Sequence, residues 1–496
     1  MPHDNTAPEL TAQRIRHVIG LLTILLLAAG ISIYRGIVLN DPDTFWHIRT
    51  GSDIWSSGHF PVQDSYSYTF KGHPWIAKEW LSQMFLALSY EVAGWNGVVF
   101  LASLNILAFG GVIYFLLARH LRPLVAAAIA IPAFFLSSPV FVARPHIFTL
   151  ALTLIWGYYL FEAARQHRAP HFGLLAVLAL WTNLHGGFTI GFLIAGFAFL
   201  DFAERSKLSD RRATLGWIGF LILCPAVTLL NPYGYQAALL TFQMAGGNEA
   251  VPFIAEWLPF NPRTNFIHHY GLLLILGLLL ASGARFTWSR SIFVTFLLFM
   301  FFSHVRFCYL AFALLPVVLA PDVAVQFPRL SATIWRTQAR DPVEQAASDW
   351  YRTLTTATSL ALALIMLSIL ALLPIRPDPK IAADGALAFA AEHRLTGHVM
   401  NGYDFGGTLV LRGIPTYLDG RTDQLFLDGF VTADRKMQEP GGDKLFHQAL
   451  LTYDVAWTLF QPSDPRVIYL DSMPGWERAY ADPTAIIHIR KTSTAP

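Results

Sequence analysis

Charged residues and cysteines are scarce in this sequence. Only 14% of its 496 residues are Asp, Glu, Lys or Arg, and the formal net charge is +2. This near-neutral balance gives no argument for a nucleic-acid partner. The two cysteines, Cys224 and Cys308, both lie in apolar runs. They exclude a disulfide framework and a thiolate zinc site, and we expect both to be packing residues.

Motifs of several familiar enzyme classes are also absent. The sequence has no GxSxG elbow, no HExxH pair, no P-loop and no dinucleotide fingerprint that opens a helix. What is abundant instead is apolar sequence, at 54% hydrophobic residues, which is the composition of a membrane protein. We predict about eleven transmembrane helices, several of them short enough to be re-entrant or core helices. The predicted spans cover residues 18–34, 97–118, 123–137, 147–163, 172–181, 188–202, 213–230, 270–281, 292–302, 307–320 and 354–374.

The basic residues predict the orientation of these spans, because cytoplasmic connections carry an excess of Lys and Arg. They fill every second connection: Arg14, Arg16, Arg119, Arg122, Arg165, Arg168, Arg205, Lys207, Arg211, Arg212, Arg285, Arg290, Arg329, Arg336, Arg340 and Arg352. The N-terminus is therefore expected in the cytoplasm and the C-terminus outside. No small-residue cleavage site is evident after the first run, which favours an uncleaved anchor. We predict a multi-pass protein of a bacterial inner (cytoplasmic) membrane.

Two segments are predicted on the outer side. The first connection, residues 40–95, carries interfacial helices, one of them in "HPWIAKEWLSQMF" with Glu79, and belongs to a transmembrane module over residues 1–374. Residues 375–496 follow the proline-rich stop "PIRPDPK". In this last piece, "GHVMNGYDFGGTLVLRGIPTYLDGRTD" and "VAWTLFQPSDPRVIYLD" indicate short strands with turns, while "DGALAFAAEHRL" and "KLFHQALLTYD" indicate helices. We predict a periplasmic α/β domain there.

The stretch "LNDPDTFWHIRTG" follows the first apolar run and predicts a capped helix. Asp41 suits the N-cap, Pro42 the first helical position and Asp43 the first turn. At helical spacing Asp43, His47 and Thr50 share one face, opposite an apolar stripe. This pattern predicts an interfacial helix whose polar face is turned away from lipid.

Other unusual polar residues also fall at the outer ends of predicted spans. With the residues above they form this set: Asp41, Asp43, His47, Glu79, Arg144, His146, Asn183, His185, Asn231, Glu256, His304 and Arg306. Structural roles are open for several of them. His185 before two glycines and Asn231 before proline suit tight turns, and Arg144 and Arg306 can snorkel to outer headgroups.

The position of these arginines, against the positive-inside bias and in short connections, favours a functional role. A guanidinium suits phosphate. An aspartate at the same level can take a proton from a hydroxyl or hold a divalent cation. Together they predict transfer of a group away from a phosphate at the outer face.

The order of these features resembles the GT-C superfamily of membrane glycosyltransferases, with an acidic motif at the start of a long first outer loop. In more detail, "DPDTFWHIRTG", "PWIAKEWL", "ARPHIFTL", "WTNLHGGFTIG", "LNPYG", "FIAEW", "NGYDFGGTLVLRG" and "YLDGRTD" resemble a group of bacterial GT-C-like integral membrane proteins over nearly the whole chain. The resemblance implies transfer of a sugar from a polyprenyl-phosphate donor to an acceptor, with inversion at the anomeric carbon.

The resemblance also implies residue roles. Asp43 or Asp41 would be the catalytic base, and Arg144 and Arg306 would bind the donor phosphate. His47, Glu79, His146, His185 and His304 would support the site or bind the acceptor, which is a glycan, lipid or protein. Some members of the superfamily need a divalent cation, so Mg or Mn at Asp43 and Glu79 stays open. The WWD-type motif of oligosaccharyltransferases is missing from residues 376–496, so transfer to an Asn-containing sequon is not expected.

Two other classes of function remain as alternatives. A lipid-linked glycan ligase or polymerase would use the outer arginines and histidines in place of a carboxylate. A lipid or glycan transporter or flippase would instead require internal repeats and polar residues near the bilayer midplane. The sequence shows no convincing repeat, and its unusual polar residues lie at one face.

Overall fold

The computed structural model describes residues 38–245, 255–263, 265–332 and 375–491, with four further positions between 357 and 368. The predicted span at 18–34 and nearly all of that at 354–374 lie outside the described residues, as do Arg14, Arg16, Arg336, Arg340 and Arg352. The chain divides into two compact units. The first, here the helical unit, comprises Met1–Val38, Val99–Tyr235 and Ala255–Pro374; the second, here the α/β unit, comprises Leu39–Val98, Gln236–Ile254 and Ile375–Pro496.

Helices account for most of the described residues. In chain order they are α1 (Asp43–Ser57), α2 (Trp80–Ala118), α3 (Pro123–Leu136), α4 (Leu150–Arg165), α5 (Leu174–Leu184), α6 (Phe188–Ser206), α7 (Arg211–Val227), α8 (Tyr235–Ala245), α9 (Phe266–Ser282), α10 (Trp288–Ser303), α11 (Leu315–Gln326), α12 (Pro379–Ala382), α13 (Asp384–Glu392), α14 (Gly406–Leu411), α15 (Phe430–Lys436), α16 (Asp443–Thr452) and α17 (Pro465–Ser472). Short 3₁₀ turns include Ser138–Val140, Pro145–Thr149, Ala255–Trp257, Val305–Phe307 and Tyr403–Phe405. Leu310–Leu314 is π-helical.

Each predicted span within the described residues coincides with a helix. Three helical stretches are long and apolar enough to cross a membrane: Trp80–Ala118, Pro145–Arg165 and Val305–Gln326. Four shorter apolar helices accompany them: Pro123–Leu136, Leu174–Leu184, Phe266–Ser282 and Trp288–Ser303. The chain is thus a helical membrane protein, and the count of eleven spans stays a prediction. Cys224 and Cys308 are both buried, as expected of packing residues.

A buried ionic network joins four helices of the helical unit. Arg290 on α10 donates from Nε to Asp201 on α6 at 2.9 Å and from Nη1 to Asp322 on α11. Nη1 also donates to the carbonyl of Val318, and Nη2 donates to the carbonyl of Phe161 on α4. The sequence analysis assigned Arg290 only to membrane orientation, but the side chain is 1% exposed and holds these helices together.

The α/β unit contains a four-stranded sheet formed by β1 (His398–Asn401), β2 (Val455–Phe460), β3 (Trp476–Ala481) and β4 (Ile486–Arg490). The strand order is β1-β2-β4-β3, with β1 parallel to β2 and the other pairs antiparallel. One face packs its apolar side chains against α13, where Ala386 and Leu387 meet Val399 and Trp457. The predicted α/β character of residues 375–496 is therefore present in the structure.

Two apolar runs that the sequence analysis assigned to strands are helices, and those two assignments are wrong. "GTLVL" lies in α14, and "RVIYLD" lies in α17. A short apolar run does not distinguish a strand from a buried helix by periodicity alone. The missed signal in α17 is its cap, because Asp464 accepts a hydrogen bond from the Arg466 backbone N–H and Pro465 takes the first helical position.

The first outer loop, which the sequence analysis placed in the transmembrane module, groups with residues 375–491 in the α/β unit. Ser67 pairs with Thr416 in a parallel β-bridge, and the backbone N–H of Tyr68 donates to the carbonyl of Thr416 at 3.1 Å. The predicted interfacial helix of this loop is the first part of α2. The backbone breaks from helical geometry at Ala93 and Gly94, where Gly94 has a φ of 59°.

Candidate active site

Asp43 begins helix α1, one residue after the N-cap position taken by Pro42. The predicted N-cap at Asp41 and first helical position at Pro42 are therefore each one residue too early. The Asp41 carboxylate still accepts the backbone N–H of Asp43 at 2.9 Å, from one position before the N-cap. The predicted polar face is buried inside the protein, since Asp43 is 6% and His47 1% exposed. The apolar stripe is only partly covered, because Phe45 and Ile48 are buried while Trp55 is exposed.

Two glycines of the C-terminal segment lie against this helix start. A Cβ on Gly420 would overlap Oδ1 of Asp43 and would stand 3.1 Å from Nε1 of Trp46. A Cβ on Gly407 would overlap the carbonyl oxygen of Pro42. The motifs "NGYDFGG" and "YLDGRTD" therefore both lie against the start of α1 in "DPDTFWHIRTG", at Pro42 and Asp43 respectively, and glycine permits the close approach.

The other polar residues of "YLDGRTD" hold the loop in place. Arg421 is fully buried and forms a two-point ion pair with Asp419, with nitrogen–oxygen distances of 2.8 and 2.7 Å. A third nitrogen of Arg421 pairs with Asp64 of the first outer loop. Burial by itself lowers the pKa of Arg421, but Asp419 and Asp64 together raise it above its usual value. Arg421 is thus a permanent cation that fixes Gly420 next to Asp43.

His47 on α1 and Glu79, which precedes α2, lie near the point where Gln83 of α2 contacts α1. Nδ1 of His47 is 3.2 Å from Nε2 of Gln83 on the first turn of α2. Glu79 immediately precedes that helix, and its carbonyl accepts the Gln83 backbone N–H. Among the described residues, no three His, Cys, Asp or Glu side chains meet as metal ligands. A Mg²⁺ ion is often held by one or two carboxylates with substrate phosphate, so Asp43 and Glu79 stay a prediction for a cation.

A second polar cluster, the arginine cluster, lies in the helical unit and consists of Arg144, Glu256 and Arg306. The Glu256 carboxylate bridges both guanidinium groups, with Oε2 3.1 Å from Nη1 of Arg144 and Oε1 3.0 Å from Nη1 of Arg306. The three side chains are 19–22% exposed. Burial alone would raise the pKa of Glu256, but Arg144 and Arg306 lower it to about 2. The cluster therefore contains two cations and one anion.

Aromatic and histidine contacts fix the Arg306 side of this cluster. The Arg306 guanidinium lies over the Trp257 ring, 4.4 Å from its centroid, in a cation–π contact. His304 Nδ1 pairs with the carbonyl of Trp257, and the backbone N–H of Val305 donates to Leu258 at 2.9 Å. His304 thus positions the segment that carries Glu256.

His146 and His185 have structural partners in the same unit. Nε2 of His146 lies 2.6 Å from the carbonyl oxygen of Val140, and its ring centroid is 6.0 Å from that of His185. Nδ1 of His185 accepts the Gly187 backbone N–H at 3.1 Å, which is the tight-turn arrangement. Asn231 likewise accepts the Tyr233 N–H in a turn. The structural alternatives for His185 and Asn231 are therefore observed.

The predicted site residues thus fall into two groups. Asp41, Asp43, His47 and Glu79 belong to the α/β unit. Arg144, His146, His185, His304 and Arg306 belong to the helical unit. The sequence analysis predicted that both arginines lie at the outer side of the membrane, but it did not predict that Glu256 bridges them.

Comparisons with known proteins support the fold. No protein-family model and no curated protein matches the sequence. The structure is similar to that of ArnT from Cupriavidus metallidurans bound to undecaprenyl phosphate, with a TM-score of 0.51 and 14% identity over 96% of this chain and 98% of that one. ArnT in the apo state gives a TM-score of 0.50 and 16% identity over 95% and 97%. An oligosaccharyltransferase from Archaeoglobus fulgidus, tethered to an acceptor peptide with an NVT sequon, gives 0.51 and 13% over 89% and 69%. The chain therefore shares the fold of ArnT and of this oligosaccharyltransferase, as its resemblance to the GT-C superfamily predicted.

Proposed function

We propose that the protein is a glycosyltransferase that moves a sugar from a polyprenyl-phosphate-linked donor to an acceptor on the periplasmic face. The observation that carries this proposal is the pairing of Arg144 and Arg306 around one anion, since such a pair suits a lipid phosphate. It is supported by the GT-C fold and by the neighbouring ArnT structure, whose ligand is undecaprenyl phosphate. The periplasmic location predicted from the basic residues agrees with this proposal, because a donor outside the cytoplasm must be carried by lipid.

Two kinds of side chain act in the proposed reaction, a carboxylate as the base and arginines that bind the phosphate. The carboxylate of Asp43 takes the proton of the acceptor hydroxyl as its oxygen attacks the anomeric carbon. The bond between that carbon and the phosphate oxygen breaks, and its electron pair stays with the phosphate, so configuration inverts. Arg144 and Arg306 stabilise the negative charge that develops on the leaving polyprenyl phosphate. We assign the base to Asp43, whose carboxylate lies against Gly420 of the C-terminal segment, and a structural role to Asp41, whose carboxylate accepts the backbone N–H of Asp43 at the helix start.

The remaining candidate residues are assigned supporting roles. His47 and Glu79, near Asp43 in the α/β unit, would orient the acceptor, which is a glycan, a lipid or a protein. Mg or Mn bound by Asp43 and Glu79 would add charge stabilisation where a cation is used. His146, His185 and His304 would stabilise the backbone around the arginine cluster through their hydrogen bonds to main-chain atoms.

One observation favours a second candidate, a lipid-linked glycan ligase or polymerase. His146 is two residues from Arg144 in the chain and interacts electrostatically with Arg144 and Arg306, and a ligase would use such groups in place of a carboxylate. That alternative predicts that replacing Asp43 causes little loss of activity, whereas the leading proposal predicts a nearly complete loss.

The first experiment compares polyprenyl-phosphate lipids by mass spectrometry in the native strain and in a strain with chromosomal Asp43→Asn. The matched control is Asp53→Asn on the same helix, whose carboxylate pairs with Arg49 and is 40% exposed. We expect one sugar-bearing carrier to accumulate in Asp43→Asn alone, at equal protein levels. An unchanged carrier pool in Asp43→Asn would contradict the proposed role of the carboxylate.

A further inference from the structure

Glu256 occupies the position between two arginines where the proposed function requires a phosphate. Its two carboxylate oxygens each bind one guanidinium group, at 3.1 and 3.0 Å. A phosphate monoester offers the same arrangement of oxygens, so carboxylate and phosphate are alternative partners for this arginine pair. A phosphate that binds Nη1 of either arginine therefore displaces the carboxylate from that arginine.

The charges of donor and product explain why a resident carboxylate is useful, if the proposed function holds. A polyprenyl-phosphate sugar is a phosphodiester with one negative charge. After transfer the leaving polyprenyl phosphate is a monoester whose second ionisation lies near neutral pH. Two arginines alone therefore bind the product more strongly than the donor, and product release would limit turnover.

We propose that Glu256 is a positioning residue that exchanges with the phosphate: it returns to Arg144 and Arg306 as the polyprenyl phosphate leaves and thereby weakens product binding. The exchange leaves the cations in place, because Arg306 keeps its contact with the Trp257 ring, at 4.4 Å from the centroid. The Glu256 side chain is 22% exposed, so it is not sealed inside the protein. It is ionised at neutral pH, since the two arginines lower its pKa to about 2.

The test measures binding of farnesyl phosphate, a short polyprenyl monoester, to the purified full-length protein in nanodiscs by calorimetry. We expect Glu256→Gln to bind it at least about tenfold more tightly than the wild type, because removal of a competing charged hydrogen-bond partner is worth about 1.5 kcal/mol or more. Farnesyl methyl phosphate, a diester with one charge, should gain less. A residue with a merely structural role would instead lose affinity when replaced.

Two further variants make the result specific. Glu162→Gln is the matched control. Glu162 pairs with Arg165 at 2.7 Å, at the end of the helical stretch Pro145–Arg165 that is distant from Arg144. The Glu162→Gln protein should bind farnesyl phosphate as the wild type does. Glu256→Asp keeps the charge on a side chain that is one methylene shorter. It should have an affinity between those of the wild type and Glu256→Gln, and it serves as the test if Glu256→Gln does not fold.

The outcomes separate this inference from the proposed function. If Arg306→Gln binds farnesyl phosphate as well as the wild type, the arginine cluster is not the phosphate site and both proposals fail. If Arg306→Gln weakens binding while Glu256→Gln leaves it unchanged or weaker, the phosphate site stands and the exchange by Glu256 is overturned.

Discussion

Gly420 has no side chain, and this allows the C-terminal segment to lie close to the Asp43 carboxylate. Any Cβ at this position would overlap the Asp43 carboxylate, and the neighbouring Arg421 is held by Asp419 and Asp64. The loop therefore cannot retreat without breaking a buried ion pair, so the strain of a larger residue falls on Asp43.

We expect Gly420→Ala to reduce sugar transfer by about 100-fold, because a displacement of about 1 Å at a reacting group has an effect of that size. The rate is measured in membranes with the donor that the lipid comparison identifies. The matched control is Gly402→Ala in "NGYDFGG", where a Cβ would have its nearest contact 3.9 Å away, at Phe460. Equal activity in the two variants would show that the close approach at Gly420 is not needed.

At the scale of elements, the network around Arg290 links α4, α6, α10 and α11. Asp201 alone accepts hydrogen bonds from Arg290, Arg205 and Thr287, at 2.9, 2.9 and 2.6 Å. We expect Asp201→Asn to lower the free energy of unfolding by about 3 kcal/mol, because it removes one of the two carboxylates, Asp201 and Asp322, that balance the charge of the buried Arg290. The measurement is the thermal unfolding midpoint of the purified protein in detergent.

The control for this prediction is an exposed ion pair. Arg412 and Asp384 are 2.8 Å apart, but both side chains are more than half exposed. Asp384→Asn should therefore change the free energy of unfolding by less than about 1 kcal/mol. Similar losses in the two variants would contradict a special role for the buried network.

Strand β4 carries a buried histidine that makes the α/β unit sensitive to acid. Nε2 of His488 is 2.9 Å from Asp471, which also pairs with Arg478, and Nδ1 has no partner among the described residues. Burial lowers the pKa of His488 below 6.5, although Asp471 opposes this effect. The unfolded chain therefore binds more protons below pH 6.5, and stability falls as the pH decreases through this range.

We expect His488→Gln to reduce this loss of stability between pH 7 and 5, compared with the wild type. The exposed His447 on α16 provides the matched control, and His447→Gln should keep the wild-type pH dependence. Unfolding midpoints at several pH values measure the effect. If His488→Gln and the wild type lose stability in parallel, another group is responsible.

For the whole molecule, the sequence predicted the positions of helices better than it predicted which side chains contact each other. The apolar run at 123–137 anticipates α3 (Pro123–Leu136) to within a residue, because apolar length is a local property. The bridge by Glu256 could not be predicted, since it joins side chains 112 and 50 residues apart in the chain. The need for glycine at position 420 also depends on a contact with a distant segment. The sequence analysis grouped Arg144 and Arg306 because the predicted membrane orientation places both at one face, and in the structure Glu256 joins them.

The orientation of the whole chain can be tested through its two native cysteines, which are buried and should give little background with maleimides. Ser463, exposed in the α/β unit, and Ser209, exposed among the basic residues between α6 and α7, are suitable sites for single cysteines. The positive-inside rule predicts that Ser463→Cys reacts with a membrane-impermeant maleimide in intact cells. Ser209→Cys should react only after the inner membrane is opened. The reverse pattern would place the α/β unit in the cytoplasm, where a lipid-carried donor is not required, and the proposed function would lose its argument from location.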